Sequence, residues 1–582
     1  MLLRLLTSAV TTVFAAFATT RIVWVAPSPL TYAGALPMFF CVGKITYSFC
    51  LNAIGLGTFI LGREGSVNPP VAPFGARGNK VAVCLLCYND DPREIRERLN
   101  VMLGMCRSEE SAGFDWHVLS DTRDETVAEQ ERIVYATDQD AAVRYRRRVV
   151  NKDAKVGNIR DFLEENGCNY NYFCVLDADS VVDPELIVQL TRILDAHPHI
   201  AIVQPNIIPV GAERMSIFSR TIEFVAQTAA HISHVGNAIV QGGRSLYVGH
   251  NCLIRTAAFV DHVLPAYAAS GCSPPLSHDF VESVILARCG YEIRSVYFES
   301  GSCEALPPNL IEWVTRDHRW CQGNMEHLSL AFRLQGIGFW NRVQLSMSSL
   351  AYLSSLFWIA IVALTIGSFG DDSYMRQFAV GGDDNGIGGV VWLGAAIYTM
   401  LFIPPFASLL IRPRALFGRA TVAGIARHVL AIAVASAYSV LFSPIIATFH
   451  VWSIVRVVWA SIFGKSSSWV AWTSQNRSSH VIGLRESVRL SILPTLSGAV
   501  LMSGLVTSNV LSSDSIPVNM NIFLGLTCGT VMLSSVVIHF SSQGLGRVHD
   551  WLYDNACIKT PPFKLCRGEN AQVIHEKCPQ DP

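Results

Sequence analysis

Apolar positions concentrate in two blocks of the chain, roughly 5–60 and 347–540, and between them short apolar runs alternate with amphipathic stretches. The uninterrupted runs predict membrane spans at about 5–26, 33–61, 347–369, 387–411, 490–510 and 520–540, each long enough for the ~30 Å hydrocarbon core of a bilayer. The block 423–464 carries Arg427, His450 and Arg456. Its pattern fits two tight spans, or a span-like hairpin followed by an interfacial amphipathic helix. The run 5–20 behind Arg4 is built like a signal peptide, but a second apolar run, 32–61, follows at once, which predicts a retained span.

From about 80 to 305 the period changes. Val81-Ala-Val-Cys-Leu-Leu-Cys87 predicts a buried parallel strand that ends in Tyr88-Asn89-Asp90-Asp91, with a helix over 93–105 behind it. Trp116-His-Val-Leu119 predicts a second strand ending in Ser120-Asp121. Tyr172-Phe-Cys-Val-Leu176 predicts a third, ending in Asp177-Ala-Asp179, and 200–203 a fourth. Strands alternating with helices imply an open, mostly parallel sheet. Ligands of such sheets bind beyond the carboxyl ends of the strands, and three strand ends here carry acidic residues.

Composition agrees with this layout. Half of the 582 residues are hydrophobic and 16% are charged, where soluble domains carry about 25%. With 45 Lys and Arg against 46 Asp and Glu and no basic stripe, nucleic-acid binding is not expected. The 16 cysteines are scattered, and no Cys/His spacing matches a zinc site. Arg63, Arg412, Arg414, Arg419, Lys465, Arg477, Arg485, Arg489, Arg547, Lys559, Lys564 and Arg567 flank the spans on one side. The loops left for the other side are acidic (371–384) or polar (512–518). The positive-inside rule then places the soluble block in the cytosol, provided 423–464 crosses an even number of times or not at all. That gives six or eight spans.

Asp177-Ala-Asp179 is the central chemical feature. Two carboxylates at a strand end can share a hard divalent cation, Mg²⁺ or Mn²⁺, that also bridges a diphosphate; such a pair also arises by chance in loops. Lys155-Val-Gly157-Asn158 places an ammonium and backbone N–H groups before a helix, where a phosphate would bind, or is a solvated surface lysine. Asp279, in Ser277-His-Asp-Phe280, stands where a helix-capping carboxylate would, and equally where a general base for a sugar hydroxyl would. Arg316-Asp-His-Arg319-Trp320-Cys-Gln-Gly323 puts cations and an aromatic just before a span. Such a Trp serves as an interface anchor, or stacks on a sugar while the arginines hold a diphosphate.

In this order, Tyr88-Asn-Asp90, Ser120-Asp121, Lys155-x-Gly-Asn, Asp177-x-Asp179, Asp279 and Arg319-Trp320 resemble the motifs of processive family 2 glycosyltransferases, which include cellulose, chitin and hyaluronan synthases. The stretches Val118–Thr122, Tyr145–Arg148, Val175–Ser180, Gly249-His-Asn251, Leu276–Glu282, Pro307–Leu310, Arg319–Asn324 and Trp472–Arg477 are similar to one branch, the osmoregulated periplasmic glucan glucosyltransferases H. Arg316, where the synthases at large have Gln, agrees with that branch. The resemblance implies an α/β GT-A domain, Rossmann-like and mostly parallel, inserted in the cytosol between transmembrane bundles of a plasma or inner membrane protein. Its domains would be two spans (1–63), the GT-A domain (64–305), interfacial helices (306–345), a span region with a gating-like loop at 465–489 (346–545) and a cytosolic tail (546–582). It implies that Tyr88, Asp90 and Asp121 hold uridine, that Lys155 holds the diphosphate, and that Asp177 and Asp179 hold UDP and metal. Gly249, His250 and Asn251 would shape the acceptor site, Asp279 would be the base, and Arg319 and Trp320 would meet diphosphate and acceptor. The implied partners are UDP-glucose, a growing β-glucan and the lipid bilayer. Alternatives are a synthase using another UDP-sugar and a non-catalytic membrane binding protein.

Overall fold

Val81–Cys87 (β1) is apolar and buried at every position, as expected of a strand covered on both faces of a parallel sheet. The computed structural model of the chain describes residues 2–25, 28–71, 79–136, 143–211, 216–270, 274–368, 387–411, 422–463, 481–511, 518–544, 546 and 551–553. Here β1 lies inside a seven-stranded sheet of order β3-β2-β1-β4-β8-β6-β9. The other strands are β2 (Asp115–Ser120), β3 (Val143–Arg147), β4 (Tyr172–Asp177), β6 (Ile200–Pro205), β8 (Cys252–Arg255) and β9 (Glu292–Val296). Only β8 runs antiparallel to its neighbours, β4 and β6. A second sheet of order β5-β10-β7 joins Ser180–Val182 (β5), Ser302–Ala305 (β10) and Ile208–Val210 (β7).

The predicted mostly parallel sheet is therefore present, and the four strands read from the sequence are β1, β2, β4 and β6. β3 was hidden because VRYRR is an edge strand whose arginines reach out to ion pairs. The strands of the second sheet are three or four residues long, too short for an alternation to show. One Cys-x-x-Cys spacing, Cys84 to Cys87, lies wholly within β1. Residues three apart on a strand face opposite sides, and burial pushes both thiols up, so neither is a metal or redox ligand.

Apolar side chains of helices Pro92–Gly104 and Pro184–Ala196 fill one face of the sheet, with Ile95, Leu99, Met102, Ile187 and Leu190 among the most buried. Helices Ala154–Asn166 and His278–Arg288 cover the other through Ile159, Phe162, Val281 and Ile285. Three layers result. They leave the carboxyl ends of β1, β2, β3 and β4 level with one another, since Cys87 pairs with Ser120, Ser120 with Arg147 and Leu86 with Asp177.

Six described helices are long and apolar enough to cross a bilayer: Leu2–Val23, Pro29–Ile60, Phe339–Ser368, Leu393–Ile411, Val422–Ile462 and Ile492–Val510. A seventh span is formed if Asn521–Met532 and Ser534–Ser541, bent by 70°, count as one. The chain is thus built as a multi-pass membrane protein. Val422–Ile462 corrects the sequence reading, because it is one unbroken helix of 41 residues and neither a hairpin nor two spans. Its apolar side chains pack on the soluble domain and on other spans alike: Ala431 and Ala435 cluster with Phe224 and Phe406, Phe442 with Phe218 and Leu310, and Ile454 with Cys321 and Tyr352. The charges at Arg412, Arg414, Arg419, Lys465, Arg477, Arg547, Lys559, Lys564 and Arg567 lie outside the described residues. So do loops 371–384 and 512–517, the Trp472–Arg477 stretch, and most of 465–489 and of 546–582.

Span and soluble domain meet where helix Pro29–Ile60 crosses helix His231–Gln241. A Cβ on Gly55 would sit 1.9 Å from the Ile232 carbonyl oxygen, and one on Gly236 would sit 1.9 Å from that of Leu51. Small residues on both sides permit a backbone-to-backbone approach of the kind membrane helices use. Gly236→Leu should force the helices apart at a cost of about 1–3 kcal/mol or more. The thermal unfolding midpoint of the detergent-solubilised protein would fall, and an unchanged midpoint would show that the crossing tolerates a side chain.

Candidate active site

Each strand end on the level edge of the sheet delivers a polar group. After β1 the chain turns through Asn89 at φ +54°, and the Tyr88 N–H donates to Asp90 Oδ2 at 2.9 Å. After β2, the buried Asp121 accepts two bonds from Arg148, Nε to Oδ1 and Nη2 to Oδ2, both at 2.7 Å. After β4 come Asp177 and Asp179. Gly249-His-Asn251 arrives over the same edge because antiparallel β8 starts there, with Asn251 N donating to Val175 O at 2.7 Å. The four non-glycine residues with positive φ among the described residues are Asn89, Asp153, Ala154 and Asn251. Asn89 and Asn251 stand in these loops and Asp153 and Ala154 at the start of helix Ala154–Asn166, and strain of this kind gathers at ligand sites.

Lys155 lies inside the first turn of helix Ala154–Asn166. Its Nζ is 2.5 Å from Asp177 Oδ1. Burial opposes its charge, but Asp177 and then Asp279 hold the ammonium above its ordinary pKa. The proposed phosphate grip by lysine plus glycine N–H needs correction: the Gly157 N–H is spent on the Asp153 carbonyl oxygen at 3.1 Å. The lysine itself remains central to the cluster.

Asp279 is the second residue of helix His278–Arg288, whose N-cap is Ser277, so the capping alternative is set aside. Burial raises its carboxyl to about 6, offset in part by Lys155, by first-turn N–H groups and by His250. Gly249, at φ +83°, lies against it; a Cβ there would be 3.3 Å from Asp279 Cβ. Behind it, His278 Nδ1 lies 2.9 Å from Glu282 Oε1, and the Tyr247 and Tyr267 hydroxyls also bond Glu282. Burial raises the Glu282 carboxyl and lowers the His278 imidazole.

The long helix Leu310–Arg333 closes the cleft. Arg316, Arg319, Trp320, Gly323 and His327 recur at the three- and four-residue spacing that makes one helix face. Gly323 touches Ser277 so closely that a Cβ would be 2.3 Å from its Oγ, and His327 Nε2 bonds the Ser277 carbonyl oxygen at 2.7 Å. Burial, and then the Arg316 charge, lower the Arg319 guanidinium, while the charges of Asp177 and Asp179 oppose the drop. Trp320 is 43% exposed, with Arg316 Cζ 4.6 Å from its ring centroid. Below, Asp317 accepts from Tyr352 at 3.0 Å and pairs with His450 at 2.5 Å, tying this helix to Val422–Ile462.

The site residues read from the sequence stand on the loops and helices around one edge of the domain, but the Asn251 side chain is buried, its amide donating to Ser302 Oγ and to the Cys303 carbonyl oxygen, both at 3.1 Å. Arg148, Glu282, Glu304 and the Asp317–His450 pair were not singled out. Arg148 and Asp317 stood inside quoted motifs, but His450 approaches from 133 positions away, and no local pattern announces it. No group of three His, Cys, Asp or Glu that could hold a metal exists among the described residues. Asp177 and Asp179 nonetheless fit a hard divalent cation, which keeps several waters and takes further oxygens from a bound diphosphate.

The family model described as glycosyl transferase family group 2 matches residues 172–474. The glucans biosynthesis glucosyltransferase H of Cereibacter sphaeroides is 31% identical over 434 residues, 71% of this chain and 70% of that protein. Its namesake in Rhodopseudomonas palustris is 27% identical over 527 residues, 88% of this chain and 71% of that one. Among solved structures, a mannosyltransferase of Pyrobaculum calidifontis in complex with GDP-Man and Mn²⁺ superposes with a TM-score of 0.38 at 14% identity, covering 63% of this chain and 99% of that one.

Arg148→Met leaves the buried Asp121 charge without its partner and should cost about 3–5 kcal/mol. The double variant with Asp121→Asn should recover part of that in thermal unfolding. Equal midpoints for wild type and Arg148→Met would show that the pair does not hold the strand ends together.

Proposed function

The chain belongs to the group 2 family of glycosyltransferases, and from that premise we propose that it is an inverting glucosyltransferase that elongates a β-linked glucan from UDP-glucose. The observation that carries the reading is Asp279, a carboxylate near pKa 6, grouped with Lys155 and within reach of the Asp177 and Asp179 edge. A base with that pKa is ionised at pH 7 and still takes a proton readily.

In this reading Tyr88, Asp90 and the Asp121–Arg148 pair form the nucleoside pocket. Lys155 and Arg319 bind the diphosphate from opposite sides. Asp177 and Asp179 would hold Mg²⁺ or Mn²⁺, which supplies positive charge where the diphosphate departs. The acceptor sugar stacks on exposed Trp320 and rests on Gly249, His250 and Asn251. Asp279 accepts the proton of the attacking hydroxyl as its oxygen bonds C1 of the donor glucose. The C1–O bond to the diphosphate breaks at the same time, and the anomeric centre changes from α to β. Helix Leu310–Arg333 shields the cleft from water at the membrane side.

Arg63, Arg485 and Arg489 stand at the ends of apolar helices, which supports a cytosolic catalytic domain under the positive-inside rule. Val422–Ile462 packs both on Ile217–Val225 and Leu310–Arg333 and on the spans Phe339–Ser368 and Ile387–Ile411, and a cytosolic domain requires that it cross an even number of times or not at all. A β-glucan is the product expected from the relatives' glucan chemistry.

The purified protein in nanodiscs should convert radiolabelled UDP-glucose, and not UDP-N-acetylglucosamine, to glucan with Mg²⁺ or Mn²⁺, and chelation should end it. Asp279→Asn should lose about 10²–10⁴-fold in rate. In the wild type, kcat/KM should fall tenfold per pH unit below about 6 and level off above it, since only the ionised carboxylate is a base. A pH-independent rate, or full activity of Asp279→Asn, would exclude this base. Polymer from UDP-N-acetylglucosamine would reassign the donor.

A further inference from the structure

One carboxylate in the cleft has no part in the steps above. Glu304 lies on β10, paired in register with Ser180, the residue that follows Asp179. The Ala305 N–H donates to the Asp179 carbonyl oxygen at 3.2 Å. The Glu304 side chain spans a gap. Its Oε2 is 3.4 Å from His250 Nε2, and its Oε1 is 3.9 Å from Arg316 Nη1. On the far side of the imidazole, His250 Nδ1 lies 3.4 Å from Ser180 Oγ, which in turn accepts the Asp177 N–H at 3.3 Å. On the other side of Glu304, the Arg316 guanidinium lies between the Trp313 and Trp320 rings, 5.0 and 4.6 Å from their centroids. Arg316, His250 and Ser180 are all buried.

We infer that Glu304 is the central positioning residue of a side-chain relay, Ser180–His250–Glu304–Arg316–Trp320, that ties the Asp177-x-Asp179 donor edge to the aromatic face that receives the acceptor. The inference deepens the glucan-elongation reading and rests on it. Two features point to positioning and not to simple cohesion. The relay ends on a Trp that stays exposed at the cleft mouth, where packing alone would bury it. The five members stand on four elements, namely β5, the loop before β8, β10 and helix Leu310–Arg333, which carries both Arg316 and Trp320, so a shift at the donor edge reaches Trp320 through side-chain contacts. Glu304 further places its carboxyl group between the His250 imidazole and the Arg316 guanidinium, so Arg316 is drawn toward β10. An acceptor sugar is thereby held in register with the donor's C1.

The test compares wild type with Glu304→Ala and Glu304→Gln in nanodiscs, measuring UDP affinity by titration, release of free glucose to water, and transfer to glucan. Glu304→Ala should bind UDP within about twofold of wild type yet lose transfer by about 10²-fold, the usual cost of misplacing a reacting group by an ångström. It should also raise the share of donor lost to water and shorten the chains. Glu304→Gln, whose amide oxygen still accepts from His250 or Arg316, should recover part of the transfer. Unchanged transfer in Glu304→Ala overturns the relay. So does an equal loss of UDP affinity and transfer together with a lower unfolding midpoint, which marks a purely structural residue. If the wild type binds UDP but makes no glucan, the functional reading falls and the relay with it; if the wild type makes glucan and only the variant result disagrees, the relay alone falls.

Discussion

The close approach of Gly323 to Ser277 governs the whole cleft. Helix Leu310–Arg333 belongs to the membrane-proximal part of the chain, while Ser277 starts the short helix that carries Asp279. With no side chain at 323, the backbones meet, and His327 one turn further locks the contact onto the Ser277 carbonyl oxygen. Helical geometry does the rest. Residues 316, 319, 320 and 323 share a face, so fixing Gly323 on the domain aims both arginines and Trp320 into the cleft. The helix that carries Asp279 and the helix that carries Arg316, Arg319 and Trp320 are thus held together at one contact.

Charge explains why the lid must be cationic. Asp177, Asp179, Asp279 and Glu304 converge within one edge of the sheet, and in a partly desolvated cleft like charges raise one another's cost. Lys155 answers them from helix Ala154–Asn166, and Arg316 and Arg319 from helix Leu310–Arg333. The same convergence that makes the empty cleft expensive prepares it for a ligand that brings both negative phosphates and a divalent cation. The membrane helices take part mechanically: helix Pro29–Ile60 grips the domain at Gly55 and Gly236, and Val422–Ile462 reaches the Arg-Trp helix through His450 and Asp317. Catalytic domain and membrane region therefore share side-chain contacts and are not joined by a tether alone.

Much of this was legible in the sequence. The buried strands β1, β2, β4 and β6 showed as apolar runs, and their acidic ends pointed to the correct edge. The spans showed as long apolar stretches. What stayed hidden follows from distance along the chain. Arg148 pairs with Asp121 across 27 residues, Glu304 reaches Ser180 only through sheet pairing across 124 positions, and His450 meets Asp317 across 133. Of the two alternatives for Asp279, the cap falls for a local reason: the helix begins at His278, so Ser277 takes the cap position and Asp279 lies in the first turn. Val422–Ile462 misled because Arg427, His450 and Arg456 pointed to a break, whereas the structure carries all three on one long helix.

The most direct measurement is an experimental structure of the protein in nanodiscs with UDP, Mg²⁺ and a short β-glucan. The account predicts the diphosphate between Lys155 and Arg319 over Asp177 and Asp179, the terminal sugar stacked on Trp320, and its attacking hydroxyl within hydrogen-bond reach of Asp279. A nucleotide seated away from that edge, or a terminal sugar out of reach of Asp279, would contradict it.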